Sequence, residues 1–225
     1  MWRILKKIFL YLFVFQFVYI IALRWVNPPI TITQLSNWIS GNGLARDYVD
    51  YNEMSASVKL AVIAGEDQLF AEHNGFDMRS IRKAMEYNEK NPNKRRGAST
   101  ISQQTAKNVF LWQGGGFFRK GLEVYFTFMI ELFWPKERIL EVYLNVAETG
   151  KGVFGVEAAA RRYFNKSASQ LTETEAARIA AALPNPKRYT VKPLSNYVSK
   201  RSAKLLRQMN NLEGDPAIQK VIQAR

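Results

Sequence analysis

The stretch Glu66-Asp67-Gln68-Leu69-Phe70-Ala71-Glu72-His73-Asn74-Gly75-Phe76-Asp77 sets four acidic residues and the chain's single histidine directly after a mostly apolar run, Val58 to Ile63. A carboxylate placed where a buried helix opens into a polar loop is partly desolvated, and its pKa rises toward that of a useful general base. A helix that merely ends in surface acids gives the same spacing. The stretch alone leaves both readings open. The run before it reads as a helix capped by Ser57 and ending near Glu66. The residues after it read as a second helix over Met78 to Glu89, starting after Asp77.

Working outward, Asn91 to Gly97 is a basic polar loop without an apolar anchor. It leads into Gly97-Ala98-Ser99-Thr100-Ile101-Ser102-Gln103-Gln104, where small residues and hydroxyls open a helix running to about Leu111. Such a start can offer backbone N–H groups to an anion or a sugar, or it can be a plain Ser/Thr cap. Gly114-Gly115-Gly116 then breaks the chain before a very apolar helix, about Phe118 to Trp134. Near its start, Arg119 and Lys120 share a helical face with Glu123, and Lys107 of the preceding helix can join them. Converging cations of this kind clamp phosphate; a solvated ion-paired face has the same sequence. The large apolar residues Phe126, Phe128, Met129, Phe133 and Trp134 belong either to the core or to a face dipping into a bilayer. Further helices follow: one at or after Pro135, Val156 to Phe164, one opened by the capping box at Thr172-Glu173-Thr174-Glu175, Ser195 to Leu212, and a short last one after Asp215-Pro216. Gly150, Gly152 and Gly155 mark a flexible turn. Alternating strand patterns are scarce, so the fold class is mainly α.

The chain has 225 residues and a formal net charge of +13, which implies an anionic partner: nucleic acid, an acidic lipid surface or a phosphorylated substrate. A hydrophobic fraction of 47% excludes global disorder, and the absence of cysteine excludes disulfides and thiolate zinc sites. Arg3, Lys6 and Lys7 precede an uncharged run from Ile8 to Leu23, followed by Arg24, Trp25 and Val26. That run approaches the roughly 20 residues a spanning helix needs, with Arg24 snorkelling and Trp25 at the interface. A cleaved signal peptide is the competing reading, but no A-x-A-like site follows. The excess of basic residues before the span places the N-terminus in the cytoplasm and the rest outside. Most of the positive charge lies beyond the span, which suits anionic lipids and makes nucleic acid a poor partner.

Together these strings resemble the lysozyme-like glycosyltransferase family that builds peptidoglycan, and within it the monofunctional biosynthetic transglycosylases. The motif Glu-Asp-x-x-Phe-x-x-His-x-Gly is matched at Glu66, Asp67, Phe70, His73 and Gly75, the second from Gly97 to Gln104, and Arg-Lys-x-x-Glu at Arg119, Lys120 and Glu123. A fourth stretch covers Ile139 to Asn145 and on through Gly152 to Phe164; a fifth runs from Glu175 to Pro184. The resemblance spans about Val58 to Leu212 and implies a mainly α, lysozyme-like domain behind one transmembrane helix. It implies transfer between lipid-linked sugars, with lipid II as acceptor and the growing glycan on undecaprenyl pyrophosphate as donor. Glu66 would be the general base of an inverting β-1,4 transfer. Lys107, Arg119 and Lys120 would stabilise the pyrophosphate, and Glu123 would orient them or assist the acceptor or leaving group. Asp67, Thr100 and Gln104 would position, Phe70 would help bind substrate, and His73 would order the loop. No tightly bound cofactor is implied, and assistance to the pyrophosphate by a divalent metal stays open. Some relatives carry an arginine where this chain has Gly114-Gly115-Gly116, so one cation of the site is either missing here or supplied elsewhere, for example by Lys94, Arg95 or Arg96.

The expected organisation is a cytoplasmic tail (1–7), an anchor (8–26), a connector (27–51) and a glycosyltransferase domain (52–225) outside the bacterial inner membrane. The anchor would serve mainly to concentrate the domain at the bilayer. Partners among other cell-wall synthesis or division proteins fit that placement. The chance matches Ser80-Ile81-Arg82-Lys83 and Ser40-Gly41-Asn42 lack a Lys-Thr-Gly partner, so no transpeptidase domain is expected. Two rivals remain at this point: a lysozyme-like glycan hydrolase, and a non-enzymatic tether for anionic lipid or wall.

Overall fold

The computed structural model describes residues 1–94 and 96–224; Arg95, one of the stand-in cations above, lies outside them. The described residues form α1 (Trp2–Ala22), α2 (Ile32–Ile39), β1 (Ala45–Arg46), α3 (Ala56–Glu66), α4 (Met78–Lys90), α5 (Ile101–Phe110), α6 (Phe117–Phe133) and α7 (Lys136–Val146). After these come β2 (Glu148–Gly150), β3 (Val153–Phe154), α8 (Val156–Phe164), α9 (Glu173–Ala182), α10 (Asn196–Leu212) and α11 (Pro216–Gln223). The protein is mainly helical, as the pattern predicts.

Local chemistry sets most helix starts. Asp77 accepts from Ser80 N at 2.9 Å and opens α4. Thr100 and Gln103 form a reciprocal capping box on α5, as Thr172 and Glu175 do on α9. Asp215 caps α11 with Pro216 in its first turn. Helix α3 is capped by Ser55 and not by Ser57: Ser55 Oγ accepts from Val58 N at 3.2 Å. Both serines precede the apolar run, and the earlier one lets Ala56 and Ser57 complete the first turn.

The core is built around α3, buried from Val58 to Ala64, against α9 and α10 on one side. The small side chains of α9, with Ala176, Ala177 and Ala180 to Ala182 buried, allow this close approach. Helices α5, α6 and α7 pack together as a second group. This arrangement brings the end of α3, which carries Glu66, against α5, which carries Gln104.

Three features differ from the sequence reading. The connector is structured. Thr31 and Gln34 form a capping box for α2, and β1 pairs in parallel with β3. The glycine-marked turn is in part a hairpin, with β2 antiparallel to β3 and the sheet ordered β1-β3-β2. Its exit needs a glycine: Gly155 has φ +84°, and a Cβ there would lie 2.6 Å from Asn145 O.

The third difference concerns α1. It begins at Trp2, so Arg3, Lys6 and Lys7 lie in its first turns, and it is long and apolar enough to cross a membrane. Its last third is docked on the domain. Ile20 and Leu23 are 0% and 2% exposed. Trp134 Nε1 donates to Ile20 O at 2.8 Å, and Arg138 donates to Leu23 O at 3.0 Å and to Val26 O at 2.8 Å. Gln16 donates to the Tyr125 hydroxyl at 2.6 Å, and Phe17 packs edge-on against Phe133. The end of the anchor is therefore part of the folded unit. The large apolar side chains of α6 and its cap divide between the two expectations: Met129 and Trp134 are buried, Phe126 and Phe133 half-buried, and Phe128 is 59% exposed.

Candidate active site

The loop after α3 is tied down by Asp67 and His73. His73 Nε2 lies 2.9 and 3.0 Å from the two Asp67 carboxylate oxygens, and His73 Nδ1 accepts from Gly75 N at 3.2 Å. Because Nδ1 accepts, the proton on Nε2 is the one that faces Asp67. Asp67 Oδ2 also accepts from Ile101 N at 3.0 Å, and Thr100 Oγ1 donates to Gly75 O at 2.7 Å. The first and second motifs are thus locked together at the start of α5. Gly75 has φ +86°, and a Cβ there would approach Thr127 Cγ2 to 2.8 Å. Phe70 is fully buried, and Lys136 Nζ sits 4.7 Å over its ring while donating to His73 O at 2.5 Å. Phe70 and His73 therefore stand behind the loop and support it, whereas Glu66, Asp67, Thr100 and Gln104 line a cleft of about 930 Å³.

Within that cleft Glu66 has one occupied and one unpartnered oxygen. Gln104 Nε2 donates to Oε2 at 2.8 Å, while Oε1 is buried without a hydrogen bond among the described residues. Arg201 Nη2 lies 3.8 Å from Oε1 and donates to Gly65 O at 3.2 Å. Burial pushes the Glu66 carboxyl above the usual carboxylate range. The Gln104 hydrogen bond, Arg201 and Lys107 oppose that rise, and Asp67 adds to it. A desolvated carboxylate with one free lone-pair face is equipped to receive a proton.

The third motif forms a separate cationic group that does not line this cleft. Arg119 Nη1 and Lys120 Nζ donate to the two oxygens of buried Glu123 at 2.6 and 2.5 Å. Lys107, one turn beyond Gln104 on α5, is lowered in pKa by burial; Glu123 and Glu66 oppose that change, while Arg119 and Lys120 reinforce it. Lys107 thus feels both carboxylates and electrostatically links the two groups. Arg119 Nε is buried without a partner among the described residues, so this cluster retains an unused donor.

Sequence reasoning named Arg96 as a stand-in cation but passed over the other cations of the cleft. Arg79 and Lys83 of α4, Arg96, and Arg201 and Lys204 of α10 all line it. The signal was present: Arg201, Lys204 and Gln208 fall at i, i+3 and i+7 on one face of α10, and Arg79 and Lys83 at i and i+4 on α4. Surface helices commonly carry such rows. Only the docking of α10 on α3 distinguishes this one.

Comparison with known proteins agrees with the geometry. The transglycosylase family model matches residues 33–210, so the matched region begins inside the segment read above as a connector. The chain is 57% identical over 189 residues to the biosynthetic peptidoglycan transglycosylase of Escherichia coli (strain K12 / DH10B), covering 83% of this chain and 78% of that protein. Its likeness to the proteins of the same name from Shigella boydii serotype 4 (strain Sb227) and Shigella sonnei (strain Ss046) is equally close, at 57% identity over 189 residues. The chain belongs to the transglycosylase family.

Proposed function

We infer that this chain is a peptidoglycan glycosyltransferase that joins lipid-linked disaccharides into β-1,4 glycan, with Glu66 as general base. Glu66 carries the reading: it is a desolvated carboxylate whose Oε2 is held by Gln104 and whose Oε1 has no hydrogen bond among the described residues and faces Arg201 at 3.8 Å, in the wall of a cationic cleft. In the reaction, the acceptor's sugar 4-hydroxyl oxygen attacks the donor's anomeric carbon while its proton passes to Glu66. The bond from that carbon to the pyrophosphate oxygen breaks on the opposite face, so the configuration inverts. Pyrophosphate leaves as an anion and needs counter-charge more than a proton, a role suited to Arg119, Lys120 and Lys107. Glu123 holds two of those cations in place. The cations lining the cleft supply a second anionic site, which fits a reaction whose donor and acceptor both carry pyrophosphate. The glycan-hydrolase reading leaves this double provision of positive charge without a use, and the tether reading, which does use the charge, leaves the desolvated Glu66 and the buried Glu123 without a role.

The same reading places α1 across the bacterial cytoplasmic membrane with its N-terminus inside, on the weight of Arg3, Lys6 and Lys7 against Arg24. Beside its docked end, α6 leaves Val124, Phe128 and Leu132 exposed; α2 does the same with Ile32, Leu35, Trp38 and Ile39. These surfaces suit a domain resting on the outer leaflet, where lipid-linked substrates are held.

The test is product analysis with purified full-length chain and lipid II. Glycan polymer and released undecaprenyl pyrophosphate are expected. Cleavage of preformed glycan, or binding without turnover, would replace this reading with one of its rivals. In the same assay Arg119→Ala is expected to lower the rate on the order of 10²-fold, with Lys120→Ala also impaired and Lys187→Ala or Lys200→Ala nearly normal. Melting curves separate the possibilities: a loss of rate that only tracks a loss of fold would remove the clamp assignment.

A further inference from the structure

The hydrogen bond that holds Glu66 depends on an amide whose two ends are nearly the same size. Gln104 can present either its NH2 group or its oxygen to Glu66 by turning over, with almost no change in packing. A carboxylate only accepts, so only the NH2-inward orientation supports an ionised Glu66. In that orientation Gln104 Oε1 faces the other way, and it receives the Tyr143 hydroxyl at 3.1 Å. Tyr143 lies on α7, 1% exposed. A turned-over amide would place its oxygen against Glu66 and its NH2 against the phenol oxygen, which can accept it, but the buried phenol's own proton would then have no acceptor among the described residues.

We propose that Tyr143 is a positioning residue for the transfer reaction: by donating to Gln104 Oε1 it holds that amide with its NH2 toward Glu66, keeping the base ionised and its Oε1 free. The chain Tyr143–Gln104–Glu66 crosses from α7 through α5 to α3, so the base is oriented from a helix that does not line the cleft. Burial, with Glu66 and Asp67 adding to it, holds the phenol's pKa well above its ordinary value, so the donor persists at any working pH. The other charged groups acting on Glu66 are Arg201 from α10, Lys107 from α5 and the adjacent Asp67. None of them distinguishes the two ends of the amide.

The proposal rests on Glu66 being the base. Its signature is a pH-dependent defect. In Tyr143→Phe the amide turns over freely, and the oxygen-inward state favours protonated Glu66. The acid limb of kcat is then expected to move up by about half to one pH unit, a threefold to tenfold loss on the acid side. On the alkaline side the ionised carboxylate draws the NH2 back, and the rate approaches that of the wild type, with KM little changed throughout. A purely structural role for the hydroxyl would lower the rate uniformly or track a fall in melting temperature.

Two further variants make the test decisive. Gln104→Met removes the donor itself and should move the limb at least as far. In the Gln104→Met background Tyr143→Phe should add no further shift. An unmoved limb in Tyr143→Phe, or a shift of equal size in both backgrounds, overturns the proposal. If Tyr143→Phe lowers the melting temperature, the limb is read below both transitions, and an unmoved limb there, or in Gln104→Met, overturns the proposal. Failure of the underlying reading is seen separately: full activity in Glu66→Gln removes the base, whereas failure of the relay leaves an acid limb that depends on Glu66 and not on Tyr143.

Discussion

Glu66→Gln is expected to reduce polymerisation by about 10²–10⁴-fold, the usual contribution of a positioned general base, without lowering the melting temperature. The two halves of this result have one cause. Burial raises the Glu66 pKa in the folded chain, so above that pKa the fold holds a carboxylate in a place less favourable than water. A group whose folded pKa lies above its unfolded value favours the fold at low pH, and that advantage is lost as pH rises through the folded value. Glutamine carries no such charge. The melting temperature of the variant relative to wild type should therefore hold at acid pH and gain as the pH rises above the ordinary carboxylate range. Gln104 can still donate to the new amide oxygen, so the local hydrogen bond survives. Activity with lipid II and thermal melts across pH measure both halves. Retained activity would remove Glu66 as base. A marked fall in melting temperature at neutral pH would mean that its charge is held favourably, for instance by Arg201.

That buried, desolvated carboxylate marks where sequence was informative and where it stopped. Helix existence was readable because caps and apolar periodicity are local: Asp77, Thr100, Thr172, Ser195 and Asp215 each bond a backbone N–H within three residues of themselves. The three motifs were readable as strings, and Arg119, Lys120 and Glu123 could be placed on one face from helical spacing alone. Other features depend on what packs against what. The β1–β3 pair joins residues more than a hundred positions apart through two-residue strands, too short for any alternation to register. Arg201 is one of several cations on α10 until that helix docks beside Gly65. Tyr143 reads as a core aromatic, which it is; its hydroxyl matters only because α5 brings Gln104 to it. For Phe70 the motif implied a binding residue, while burial puts its ring behind the loop.

The anchor is the clearest case of a boundary set by packing and not by composition, and it gives the second large effect. Deleting residues 1–26 is expected to destabilise the domain strongly, whereas deleting 1–13 should not. The longer deletion removes Ile20 and Leu23 from the core, each worth about 1.5–3 kcal/mol on burial. It also strips Arg138, 7% exposed, of two carbonyl acceptors and leaves Glu141 as its ion-pair partner. Leaving a buried donor unsatisfied costs roughly 1–3 kcal/mol. Trp134 loses its acceptor as well. A total on the order of 5 kcal/mol corresponds to about 10–20 °C at roughly 2–4 °C per kcal/mol for a domain of this size. Helix α6 should carry the damage to the site, since its later turns rest on α1 while its first turns hold Arg119, Lys120 and Glu123. The shorter deletion leaves Gln16, Phe17, Ile20 and Leu23 in place and removes only turns that are exposed on the folded chain, so its melting temperature should stay within a few degrees of the full chain. Melts of the three proteins in one detergent, with lipid II turnover measured below the lowest transition, make the comparison. Equal stability of the 1–26 deletion and the full chain would show that α1 is only a tether.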